Sequence, residues 1–229
     1  MGNLQSIVDA ICDGFELKNA LRDTTLRRSR QLIRHCANAI RAVHRDEFQE
    51  ARHLLATARA AAAEMVADIA QHPDLYYAGY TQDALKELSE ACITCALVAD
   101  EETPTPQSLQ VEPPAYLNRL AEAAGEVRRY VLDRLRKGDI VAGERLLAAM
   151  DDIYSLLITV DFPDAITGGL RRNTDMVRAV LERTRGDLTT AVRQEEMKAA
   201  LRGFSGRLGL PQEHTGTSYV PDSEGPANP

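Results

Sequence analysis

Two pairs of carboxylates are spaced to act together. In the stretch from Pro114 to Arg129, Glu122 and Glu126 fall within about 40° of each other on a helix turning about 100° per residue, with Arg129 and Asp133 on the same strip. Upstream, Asp83, Glu87 and Glu90 share a strip about 60° wide. Like charges one turn apart cost a few tenths of a kcal/mol, roughly, in an isolated helix, so each pair gains from a cation placed over it, whether Arg129 or a metal ion. Two helices that each offer such a pair are what a bundle needs to hold a hard cation, and oxygen ligands suit Mg²⁺ or Mn²⁺. Taken alone, the same spacing also describes two solvated helix faces.

A third pattern is basic. Arg27, Arg30, Arg34, Arg41 and Arg45 lie within about 60° of arc, while Ile33, Cys36, Ile40 and Val43 point the other way. At 1.5 Å rise per residue, the row is roughly 27 Å long, enough to track several phosphates. A solvated basic face is the competing reading. His44, between Val43 and Arg45, fits packing or a phosphate contact better than metal ligation. Cys92-Ile-Thr-Cys95 has the spacing of half a zinc site, but no second CxxC or HxxxH accompanies it, which favours core cysteines.

The elements that must carry these residues read as helices. Aromatics make up 5% of the 229 residues, Trp is absent, and Ala and Leu abound, which favours an all-α chain. Helical periodicity covers Asn3 to Arg45, with a bend expected near Arg22-Asp-Thr-Thr25, and then Glu47 to Ile69. Leu75 to Tyr80 reads as an aromatic connector into a helix that ends near Asp100, and Glu101 to Pro114 as a loop. The Glu122 helix is expected to stop at Lys137-Gly138, the next to span Asp139 to Val160, and the last to run to about Leu201. Residues 1–204 are thus expected to form one helical domain, and residues 205–229, rich in Gly, Pro, Ser and Thr, a disordered tail. No strand alternation, Walker loop, GxGxxG, HExxH or GxSxG appears, which argues against nucleotide-dependent and serine-hydrolase chemistry. The absence of a signal-like segment and of an apolar run near 18 residues leads to the expectation of a cytoplasmic protein with no membrane partner. A net charge of −7 argues against indiscriminate polyanion binding, although a local basic row escapes that argument.

The segments Gly79 to Ala91, Tyr116 to Arg129, Lys137-Gly-Asp139, Asp164 to Arg172 and Leu201 to Phe204 together resemble the translin family, within it the translin-associated factor X branch and its archaeal relatives. The resemblance covers most of residues 20–204. It implies an all-α bundle of about seven helices that assembles into a closed, hollow homo-oligomer of eight subunits. It also implies Mg²⁺-dependent endoribonuclease activity on single-stranded RNA, with single-stranded DNA as a further ligand. By position, the acidic cluster becomes Glu87, Glu90, Glu122 and Glu126, serving as metal ligands and catalytic residues. The chain departs from factor X at Glu122, where the branch has an aspartate, and the longer arm would alter the placement of a metal.

The expected chemistry is metal-assisted phosphodiester hydrolysis at those four glutamates, with Mg²⁺ or Mn²⁺ lowering the pKa of a bound water. Arg27, Arg30, Arg34, Arg41 and Arg45 would grip backbone phosphates without sequence choice. Arg129 would either neutralise the scissile phosphate or hold a carboxylate. Two rivals stand beside this reading: a nucleic-acid-binding oligomer without chemistry, as in translin itself, and a helical scaffold for partner proteins.

Overall fold

The structure, a computed structural model, describes residues 2–208. Among them it contains nine helices and no strand: α1 (Gly2–His44), α2 (Phe48–Asp68), α3 (Pro73–Tyr76), α4 (Gly79–Ala99), α5 (Pro106–Leu109), α6 (Pro113–Arg136), α7 (Ile140–Leu157), α8 (Asp164–Thr167) and α9 (Leu170–Arg207). The all-α expectation holds. The count differs from about seven because α3, α5 and α8 are four-residue turns, too short to show a helical period; α3 and α5 start at a proline, whose fixed φ suits the first helical position.

The bend expected at residues 22–25 is absent. Thr25 donates its hydroxyl to the Leu21 carbonyl at 2.8 Å rather than capping a new helix. A buried stripe of Thr25, Ser29, Leu32, Cys36, Ala39 and Val43 then runs on without interruption at alternating spacings of four and three. A helix packed along one continuous stripe has no reason to break.

The described residues divide into two units after Thr189. In the first, α4 is the central element and packs against α1, α2, α6 and α7. Leu85, Leu88, Cys92 and Cys95 on α4 are buried, together with Ala124, Val127 and Val131 on α6, Leu146 and Met150 on α7, and Leu55, Ala58 and Met65 on α2. Cys36, Cys92 and Cys95 are free, and burial pushes all three thiols up, Cys95 to about 11, so they stay protonated as core residues. Beyond Leu188, no described residue of α9 is buried. In the second unit, Glu195 pairs with Lys198 and Arg202. Helix α9 continues through Arg207, so Ser205–Arg207 are helical and Leu208 is a turn residue; residues 209–229 of the expected tail lie outside the described residues. No described helix is long and apolar enough to cross a membrane.

Candidate functional site

The site is built where α4 and α6 lie side by side, and three devices fix them. Asp46, at a positive φ of 65° in the α1–α2 turn, accepts from Tyr130 Oη at 2.7 Å, from Lys137 Nζ at 3.1 Å and from Arg134. One carboxylate thus ties the start of α2 to the end of α6. Arg145 on α7 donates to the Leu97 and Val98 carbonyls at 3.0 and 2.8 Å, placing a cation on the unpaired C-terminal carbonyls of α4. Asn118 on α6 donates to the Pro114 and Thr167 carbonyls at 2.8 and 2.7 Å and accepts from Asn173 on α9 at 2.9 Å.

On this frame, Glu87 and Glu90 from α4 and Glu122 from α6 converge on one atom. Arg119 Nη1 lies 3.4 Å from Glu87 Oε1 and 2.8 Å from Glu90 Oε2, and it also bonds Glu122. The other oxygen of Glu122 takes Asn173 Nδ2 at 3.4 Å. Burial pushes the Glu90 carboxyl up to about 6; the Arg119 bond and charge pull it down, while the charges of Glu87 and Glu122 push it further up. Glu126, one turn along α6, is drawn elsewhere. His44 Nε2, at the end of α1, donates to Glu126 Oε2 at 2.6 Å, and this hydrogen bond, above all, holds Glu126 below the usual carboxylate range. His44 Nδ1 is buried with no hydrogen-bond partner among the described residues. Arg129 is exposed and only 3.9 Å from Glu126, so in this structure it leans toward a carboxylate.

Three of the four sequence-selected glutamates are thus gathered and the fourth is held by histidine. Among the described residues, no group of three or more His, Cys, Asp and Glu stands ready to hold a metal ion. The point on which the oxygens converge belongs to Arg119. Beside it opens a cleft of about 340 Å³ lined by Gln82, Lys86, Asn118, Arg119, Glu122 and Asn173, among others. A larger cavity of about 500 Å³ lies between α2 and the last turns of α4, but its carboxylate, Glu101, is bonded to Arg52 and its thiols are pushed up, so it offers little chemistry.

All five arginines of the α1 row are exposed. Arg41 donates to Asn38 at 2.6 Å, and Arg45, just past the helix, pairs with Glu47 at 2.5 Å. Arg27, Arg30 and Arg34 have no ion-pair partner among the described residues.

Comparison with known proteins gives these features a setting. AfC3PO, a translin-family protein solved in complex with duplex RNA, superposes with a TM-score of 0.75 and 32% identity over 82% of this chain and 97% of its own. The chain belongs to the translin family. An uncharacterized protein of Methanocaldococcus jannaschii is 28% identical to this translin-family chain over 201 residues, 86% of each. NeC3PO, solved without ligand, is 18% identical with a TM-score of 0.74 and bears on the fold alone. No family model matches the chain. Within this translin-family site, sequence reasoning missed Arg119, Asn118 and Asn173 and left the His44–Glu126 bond unseen. Only Arg119 left a readable signal, because three residues before Glu122 it lies on the same helix face.

Proposed function

We propose that this chain binds RNA in a closed homo-oligomer, an octamer by resemblance, and cuts its phosphodiester bonds at the Glu87–Glu90–Glu122 cluster with a divalent ion. The observation that carries this reading is the convergence of three carboxylates from two helices on a single cationic point. Water separates like charges unless something holds them together, and here Arg119, the packed helices and the Asn118–Asn173 bond do so. The donors fit a hard cation, since all are carboxylate oxygens, and Glu87, Glu90 and Glu122 would hold Mg²⁺ or Mn²⁺, with Glu126 as the fourth candidate ligand. When bound, such an ion supplies a water of lowered pKa and offsets charge on the phosphate.

The chain's own residues do the rest. Asn173 and Asn118 fix Glu122, so its reach is set by α9 as well as by α6. His44 keeps Glu126 ionised. Arg27, Arg30 and Arg34, with no internal partners among the described residues, offer their charge to backbone phosphates. Single strands are the proposed substrate; because AfC3PO was solved with a duplex, both forms belong in the assay.

A second reading, RNA binding without cleavage, is favoured by one observation: each of the four glutamates already has an internal donor, Arg119 or His44. The test is cleavage of labelled single-stranded and duplex RNA in Mg²⁺ or EDTA, by wild type, Glu122→Gln and Glu126→Gln proteins of equal assembly size. Cleavage abolished by EDTA and by both substitutions, with RNA binding kept, supports the nuclease. Equal traces of activity in all three leave the binding protein.

A further inference from the structure

Arg119 is the one charged group in the cluster for which the proposed hydrolysis has no use. Two features separate it from an ordinary structural ion pair. Its three carboxylate contacts all fall on Nη1, and its Nε and Nη2 make no hydrogen bond among the described residues. The strong arrangement for arginine is a two-pronged fork onto one carboxylate, and this guanidinium instead serves three glutamates with a single nitrogen. Arg119 also lines the open cleft that Lys86, Gln82 and Asn173 share, so its side chain has polar space to turn into without unpacking the core. One positive charge among three carboxylates matches the total poorly; a divalent ion would match it better.

We propose that Arg119 is a displaceable internal counter-ion. In the RNA-free chain it stands in for the divalent ion and keeps Glu87, Glu90 and Glu122 together. When these oxygens take the ion, the guanidinium turns into the adjoining cleft and, with Lys86, meets the RNA phosphate there. This inference rests on the cluster being the metal site. Arg119 then makes metal binding and RNA binding mutually reinforcing, because each ligand favours the same arginine position.

The test uses Mn²⁺ as the probe, with free ion followed by electron paramagnetic resonance, on full-length wild type, Arg119→Met, Arg119→Gln and Glu90→Gln proteins matched in assembly size. Arg119→Met removes the competitor, and the expected result is Mn²⁺ binding about tenfold tighter than wild type, within the usual range of coupling between sites. Arg119→Gln, which keeps one donor for the carboxylates, covers the case in which the methionine protein fails to fold, and it should move the same way by a smaller factor. Glu90→Gln weakens Mn²⁺ binding relative to wild type, which places the ion at the cluster. If the Arg119 variants bind Mn²⁺ no better than wild type while Glu90→Gln still weakens it, the counter-ion role is overturned and the metal site stands. If no protein of the set binds Mn²⁺, the metal-site reading is overturned and this proposal goes with it.

Discussion

Glu90 sits deep enough between α4 and α6 that burial outweighs Arg119 and pushes its carboxyl up to about 6. The folded state therefore holds that proton more tightly than the unfolded chain. The stability this confers is complete below the ordinary glutamate value and is lost as pH rises through about 6. Glu90→Gln cannot titrate, so its stability relative to wild type should rise by about 1.5 kcal/mol between pH 4.5 and pH 7, as read from urea unfolding. A gap that stays flat with pH would sink the argument. Glu126 works in the opposite direction. Held low by His44, it contributes stability that is present above the ordinary glutamate value and lost as pH falls through its folded one. His44→Ala should therefore cost about 1–3 kcal/mol at neutral pH and flatten the acid limb of the stability curve. A full cost at pH 3 as well as pH 7 would show the loss to be packing alone. At this scale the sequence was legible only along single helices. Periodicity put Glu87 beside Glu90 and Glu122 beside Glu126, but the contacts of Arg119 with α4, of His44 with Glu126 and of Asn173 with Asn118 join residues far apart in sequence, where no periodic signal reaches.

The six long helices follow from their apolar stripes and their end signals, within one to three residues at most ends. Gly138, at a φ of 77°, follows the C-cap Lys137 of α6 as expected of a residue that must enter the left-handed region, and Pro113 and Pro114 open the same helix. The one-turn helices α3, α5 and α8 escaped because four residues carry no period, and the bend in α1 was wrongly expected because local capping residues were weighed without the stripe that packs through them. Helix packing also sets a demand that no pattern announces. A Cβ at Gly143 on α7 would stand 3.0 Å from Leu188 Cδ1 and 3.2 Å from Leu135 Cδ2. The leucine tips can yield to one methyl, and the helix gains from losing a glycine, so Gly143→Ala should change stability by less than about 1 kcal/mol. Gly143→Val has no such room and should cost about 1–3 kcal/mol in urea unfolding. Equal behaviour of the two variants would mean that α7 is free to shift outward.

For the molecule as a whole, a net charge of −7 coexists with a basic row on α1, and the arrangement of charge matters more than its sum. Among the described residues, many other charges are paired within the chain: Asp46 with Arg134 and Lys137, Glu101 with Arg52, Asp68 with Arg28. Arg27, Arg30 and Arg34 have no ion-pair partner among the described residues, and a phosphate backbone is their proposed partner. Binding of this kind is driven by counterion release, so the logarithm of affinity should fall linearly with the logarithm of salt concentration, by about 0.7 per phosphate contacted on a single strand. Replacing Arg27, Arg30 or Arg34 by alanine should therefore each flatten that slope by about 0.7, whatever the RNA sequence. Arg45→Ala should flatten it less, because Arg45 must first release Glu47 to reach a phosphate. Fluorescence anisotropy of a labelled oligoribonucleotide across a salt series measures all four slopes. If the three unpaired arginines leave the slope unchanged, the row is a solvated face and RNA is held elsewhere. If Arg45 matters as much as they do, the Glu47 pair does not persist in solution.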